Sequence, residues 1–117
     1  MITNKVKQIV EGNPITLSTV DKSNAPHTIY VLYVKVIDKN KILITDNYMQ
    51  KTKENILENK KVSLSVLVGK VAFELTGAAE YFYKGNYFDQ VKNMPKNKEE
   101  PSKGVIVVSV EKVTKMG

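Results

Sequence analysis

Ile42-Leu-Ile-Thr-Asp-Asn-Tyr-Met-Gln-Lys-Thr-Lys-Glu-Asn-Ile56 is the stretch whose reading decides the fold. Residues 42–45 read as a short apolar strand, Asp46-Asn47 as a turn, and Lys51-Thr52-Lys53 as the start of a helix over 52–59 that carries Ile56 and Leu57. A strand that ends in polar residues beside a helix N-terminus can form an anion site. Free backbone N–H groups and the helix dipole favour a phosphate there, and a lysine and a hydroxyl can complete its shell. Taken alone, the same residues also describe a solvated helix start with Thr52 as N-cap.

The neighbouring residues favour the anion site. Residues 27–37 read as one long strand with Ile29, Val31 and Tyr33 on one face and Tyr30, Leu32, Val34 and Val36 on the other. An antiparallel strand normally wets one face, so two apolar faces imply a barrel interior on one side and a ligand or partner subunit on the other. A tight hairpin at Asp38-Lys-Asn-Lys41 returns this strand beside residues 42–45. A phosphate corner would thus adjoin an apolar wall with exposed main chain, as a flat, phosphorylated aromatic ligand requires.

Further out, Ile2, Val6, Ile9 and Val10 recur at helical spacing, which predicts a helix over 3–12 with Gly12 as its stop. Ile15–Val20 is a strand, and Asp21-Lys-Ser-Asn-Ala-Pro26 is rich in turn formers. Alternation predicts strands over 62–68 and 71–82, joined by Gly69-Lys70, with small residues at 77–79 that allow something to approach the backbone closely. Tyr87, Phe88, Val91 and Met94 suit a short helix after Gly85, residues 95–103 a charged loop, and residues 105–113 a last strand apolar on both faces. Six strands with short helices predict a mostly β (α+β) antiparallel barrel in a single domain over 1–117.

Composition narrows the function. At 117 residues, with 42% hydrophobic and 26% charged residues, the chain can bury one modest core. It contains no cysteine, which removes disulfides and thiolate metal sites and fits a reducing, cytoplasmic setting. The apolar runs are too short to span a membrane, and Met1-Ile-Thr-Asn-Lys5 lacks a signal-peptide core. A net charge of +6 admits nucleic acid or an anionic small ligand. All eighteen basic residues are lysine, which meets phosphate as a point charge but lacks the planar fork that reads base edges.

Several kinds of chemistry are excluded. Neither the G-x-G-x-x-G nor the G-x-x-x-x-G-K-[ST] fingerprint occurs. One histidine without cysteine cannot build a conventional zinc site, and His27, following Pro26 at a strand start, reads as an edge-strand residue rather than a triad base. Glu80 could be an acid catalyst but reads better as a structural carboxylate at a strand end. Tyr81-Phe-Tyr-Lys-Gly-Asn-Tyr-Phe88 could stack bases, yet its spacing suits helix packing better.

Five segments follow in order: Ile15-Thr-Leu-Ser-Thr-Val-Asp21, Asn24-Ala-Pro-His27, Ile44-Thr-Asp-Asn-Tyr48, Lys51-Thr-Lys-Glu-Asn55 and Leu75-Thr-Gly-Ala-Ala-Glu80. Together they resemble the FMN-binding split-barrel family, which includes the pyridoxamine 5′-phosphate oxidases and small FMN-binding proteins. The resemblance implies a homodimer with FMN at sites along the subunit interface. The flavin ring would lie against Ile29, Tyr30, Val31 and Leu32, with Thr45 and Asp46 near the ribityl–phosphate arm and Lys51 and Thr52 on the phosphate. The oxidases carry an Arg-Lys pair where Lys51-Thr52 stands, and further arginines for the substrate phosphate. The small FMN-binding members share the Lys-Thr pair and are the closer match, which argues against pyridoxamine phosphate oxidation itself.

The resulting expectation is an FMN-dependent oxidoreductase or flavin reductase that takes hydride from a nicotinamide. The alternatives are a non-catalytic FMN-binding electron carrier with a protein redox partner, a deazaflavin or haem in place of FMN, and a basic barrel that binds single-stranded nucleic acid.

Overall fold

A break at Leu32-Tyr33 sets the topology. Before it the chain forms β2 (Pro26–Val31), and after it β3 (Val34–Ile37). β2 pairs with β1 (Ile15–Val20), whereas β3 pairs with β4 (Lys41–Asp46). The remaining strands are β5 (Lys61–Val68), β6 (Val71–Phe82) and β7 (Gly104–Met116). The computed structural model describes residues 1–95 and 101–116, and among them one sheet of seven antiparallel strands runs in the order β2-β1-β5-β6-β7-β4-β3. Its edge strands, β2 and β3, are consecutive in the chain, so the short Leu32-Tyr33 link draws the two edges together at one end. The result is a split barrel.

Seven strands therefore replace the expected six, because the strand expected over 27–37 is two strands on opposite edges. Val31, Val34 and Val36 all enter the same core, a spacing of three and then two. The inward phase slips by one residue at Leu32-Tyr33. Both neighbours of the slip are apolar, so no polar residue marks it.

Helix α1 (Asn4–Gly12) turns Val6 and Val10 into the core, and the Thr3 hydroxyl caps it by accepting the Val6 N–H (3.2 Å). The helix ends on Gly12, at the expected stop. Asn13 leaves the helix in an extended conformation, its Nδ2 donates to the Ile9 carbonyl (2.9 Å), and Pro14 follows. On the barrel's edge, the Glu11 carboxylate accepts the Val36 N–H (2.7 Å), blunting an edge strand that could pair elsewhere.

Helix α2 (Gln50–Glu58) begins two residues before the expected start, with Met49 as N-cap, and buries Thr52, Asn55 and Ile56. Leu57, carried on the same helix, points to solvent. Helix α3 (Asn86–Lys92) lies on β4 and β7, where Val91 joins Leu43, Val105 and Val107 in a second apolar cluster. That cluster explains why the first half of β7 is apolar on both faces.

Close approach at 77–79 also occurs, but the visitor is the protein itself. The β6–β7 register shifts between Thr76 and Gly77, and a side chain at Gly77 would collide with the Ser109 carbonyl. Among the described residues, no helix is long and apolar enough to cross a membrane. Of the loop expected over 95–103, residues 96–100 lie outside the described residues.

Candidate functional site

β4 delivers Asp46 to the strand-to-helix corner in a buried position, 3% exposed. Its Oδ1 accepts the Met49 N–H (3.0 Å), and its Oδ2 accepts the Tyr81 hydroxyl proton (2.5 Å). The Asp46 carbonyl accepts the Lys103 N–H (2.8 Å), and Asp46 stands opposite Gly104 in the β4–β7 ladder. Tyr81 crosses the space that a side chain at residue 104 would need, so glycine there admits the ring. Burial first, then the hydrogen bond to Asp46 and its charge, push the Tyr81 pKa well up, so the hydroxyl stays protonated and donates.

Beside this corner, a cavity of about 410 Å³ opens between the seam and the start of α2. Residues 29–33 form one wall, and Thr45, Asn47, Tyr48 and Met49 form the other. Its mouth is apolar and open: Tyr30 is 75% exposed and Leu32 56%. Lys103 places its ammonium 5.2 Å from the centroid of the exposed Tyr48 ring.

The first turn of α2 lies directly beyond Met49. Thr52 is 1% exposed, and its Oγ1 has no hydrogen-bond partner among the described residues. A buried hydroxyl left in that state is costly, which marks a place where an acceptor or donor is wanted. Asn55, one turn on, donates from Nδ2 to the Thr19 hydroxyl (3.0 Å) while its Oδ1 also has no partner among the described residues. Lys51 is half-exposed and sits 4.0 Å from Asp21. The Asp21 carboxylate accepts the Ser23 and Ala25 N–H groups (2.8 and 2.9 Å), and these bonds, the Ala25 one foremost, hold its pKa below the ordinary value, with Lys51 adding to the effect. Lys53 rests its ammonium 4.9 Å from the centroid of the Tyr81 ring.

The structure thus brings Ile29, Tyr30, Val31, Leu32 and Thr45 onto one cavity. Asp46 lies behind the cavity wall, turned toward Tyr81 and Met49, and Lys51 and Thr52 lie on the adjoining helical turn. Sequence reasoning missed Tyr33, Asn47, Tyr48 and Met49 as lining residues and Tyr81 as a partner of Asp46. The first four were findable, because a corner that holds Thr45 and the start of α2 must present the residues between them. Glu80 is exposed on β6, and His27 lies on the edge strand β2. Phe82, Tyr87 and Phe88 pack against the α3 cluster, while Tyr83 is exposed with Lys84 5.8 Å from its ring centroid.

Known proteins share this architecture. The family model for pyridoxamine 5′-phosphate oxidase matches residues 2–117. An uncharacterized protein of Methanocaldococcus jannaschii is 30% identical over 117 residues, covering 96% of this chain and 78% of that protein. HupZ of Group A Streptococcus superimposes with a TM-score of 0.91 over 99% of this chain and 94% of its own, at 21% identity. An FMN-binding protein from Syntrophomonas wolfei superimposes with a TM-score of 0.84 over 95% of this chain and 83% of its own, at 22% identity. The seam, the strand order and the match along nearly the whole chain lead to one assignment: this protein belongs to the pyridoxamine 5′-phosphate oxidase family.

Proposed function

We propose that this chain is a single-domain, homodimeric flavoprotein that binds FMN and acts as a small FMN-dependent oxidoreductase or flavin reductase. One observation carries the reading: an open apolar cavity runs up to the N-terminus of a helix whose first turn holds a lysine and a buried threonine hydroxyl with no hydrogen-bond partner among the described residues. Such a site is apolar where a ring would stack and electropositive where a phosphate would end.

The residues present fit that ligand. Residues 29–32 would hold the ring, and Thr45 would face the ribityl arm. Lys51 and the Thr52 hydroxyl would take the phosphate, and Asp46 would support the corner from behind. Bound FMN would supply hydride acceptance and electron transfer, and the protein's part is to hold it, orient it and control access to it. The exposed Tyr30 also lines a second groove of about 420 Å³ that includes Pro14, Thr16, Ser65 and Leu67. A second copy of the chain covering this apolar surface would finish the site, in keeping with the expected homodimer.

The visible absorption spectrum of freshly purified protein tests the reading. A flavin spectrum, or one regained on adding FMN, is the expected result; a colourless protein that FMN does not reconstitute would overturn it. Reduction by a nicotinamide, followed by stopped-flow absorbance, then separates a reductase from an electron carrier. Tight binding of single-stranded nucleic acid that weakens steeply with salt would favour the nucleic-acid alternative instead.

A further inference from the structure

We propose that Tyr81 is a positioning residue for the phosphate corner, and that its hydroxyl makes the site prefer a phosphorylated flavin over an unphosphorylated one. This rests on the FMN reading above. Tyr81 is 35 residues from Asp46 in sequence and reaches the corner from β6, across β7 in the same sheet.

The contacts close into a ring. The Tyr81 hydroxyl donates to Asp46 Oδ2, and Asp46 Oδ1 accepts the Met49 N–H. The Met49 carbonyl accepts the Lys53 N–H (2.9 Å), which is the first hydrogen bond of α2, and the Lys53 ammonium returns to the face of the Tyr81 ring. Residues 46–53 are therefore held at both ends by one side chain, with Lys51 and Thr52 between those ends. Met49 has no side-chain hydrogen bond as N-cap, so Asp46 does the work that a cap would do. Placing a phosphate against a helical turn requires that turn to be fixed before the ligand arrives, since ordering it afterwards would cost binding free energy. Ring stacking on residues 29–32 makes no such demand.

Three variants test this against a merely structural role for Tyr81. Tyr81→Phe keeps the ring, its packing on Gly104 and its contact with Lys53, and removes only the hydroxyl. In Tyr81→Phe the dissociation constant for FMN should rise about tenfold while that for riboflavin changes by less than about twofold. In Asp46→Asn the side-chain oxygen can still accept the Met49 N–H and the amide can donate to the Tyr81 oxygen, so selectivity for FMN should be retained. Asp46→Ala should lose it. Equal loss of both flavins in Tyr81→Phe, no change in either, or an Asp46→Asn variant as impaired as Asp46→Ala would each overturn the proposal.

Amide hydrogen exchange gives a readout without ligand. Exchange at Met49 and Lys53 in Tyr81→Phe should quicken by about tenfold while the central strands stay protected. If the wild-type protein bound neither flavin, the FMN reading would fall. Exchange would then decide the positioning role alone: faster exchange at those two amides upholds it, and unchanged protection overturns it.

Discussion

Ile29-Tyr-Val-Leu32 and Val105-Ile-Val-Val108 are equally apolar runs, and the fold treats them in opposite ways. Val105, Ile106, Val107 and Val108 are all buried, because β7 lies between β4 and β6 and α3 covers its outer face. Tyr30, on the edge strand β2, and Leu32, in the link that follows it, are both exposed, and no helix among the described residues packs extensively on β2. A strand that is apolar on both faces needs two covers. Where the chain supplies both, the pattern reports on stability. Where it supplies one, the pattern reports on a ligand or a partner.

Substitutions can break this contrast. The largest effect belongs to the covered region: Leu43→Ala, emptying a site under α3, should destabilise the protein by about 2–5 kcal/mol in denaturant unfolding. A loss below about 1 kcal/mol would show that α3 does not seal that face.

At the uncovered wall and the helix corner beside it, the loss should appear in binding. The double variant Lys51→Ala, Thr52→Ala should weaken FMN by about a hundredfold, leaving riboflavin within about threefold of its wild-type affinity. Equal losses for the two flavins, compared by fluorescence titration, would remove the phosphate from that corner. Leu32→Ala sharpens the contrast further. Its unfolding free energy should stay within about 0.5 kcal/mol of wild type, while both flavins weaken together and the sedimentation of the protein shifts toward monomer.

The smallest effect concerns pH. Asp21 has a pKa lowered from 3.8 in the folded protein, so its contribution to stability is present above that value and disappears as pH falls through the lowered one. The difference in melting temperature between wild type and Asp21→Ala should therefore be visible near neutrality and vanish in strong acid. A difference that persisted there would assign the effect to packing instead.

How much could be read from the sequence follows from how local each feature is. The strand-to-helix corner was legible because Thr45, Asp46, Lys51 and Thr52 lie within one short stretch, where spacing alone fixes their neighbourhood. The cavity wall at residues 29–32 was read through the hairpin at 38–41, but that hairpin pairs only β3 with β4. Residues 29–32 belong to β2 and the link after it, and meet the corner where the seam joins the two edges. The seam at Leu32-Tyr33 was not legible, because a phase slip inside an unbroken apolar run leaves no polar marker. Gly77 was read as leaving room for a visitor, and only the register shift shows that the β7 backbone takes it. Tyr81 was read within its own aromatic stretch. Its partner Asp46 lies on another strand, a pairing that no periodicity in one sequence encodes.

The central claim is that the bare apolar wall and the helix corner hold two ends of one ligand. The most direct measurement is titration of the flavin-free protein with FMN and with riboflavin, followed by flavin absorbance and fluorescence. FMN should bind at least about tenfold more tightly, since both bring a ring to the wall and only FMN brings a phosphate to the corner. Equal affinities, or no binding of either, would contradict the account.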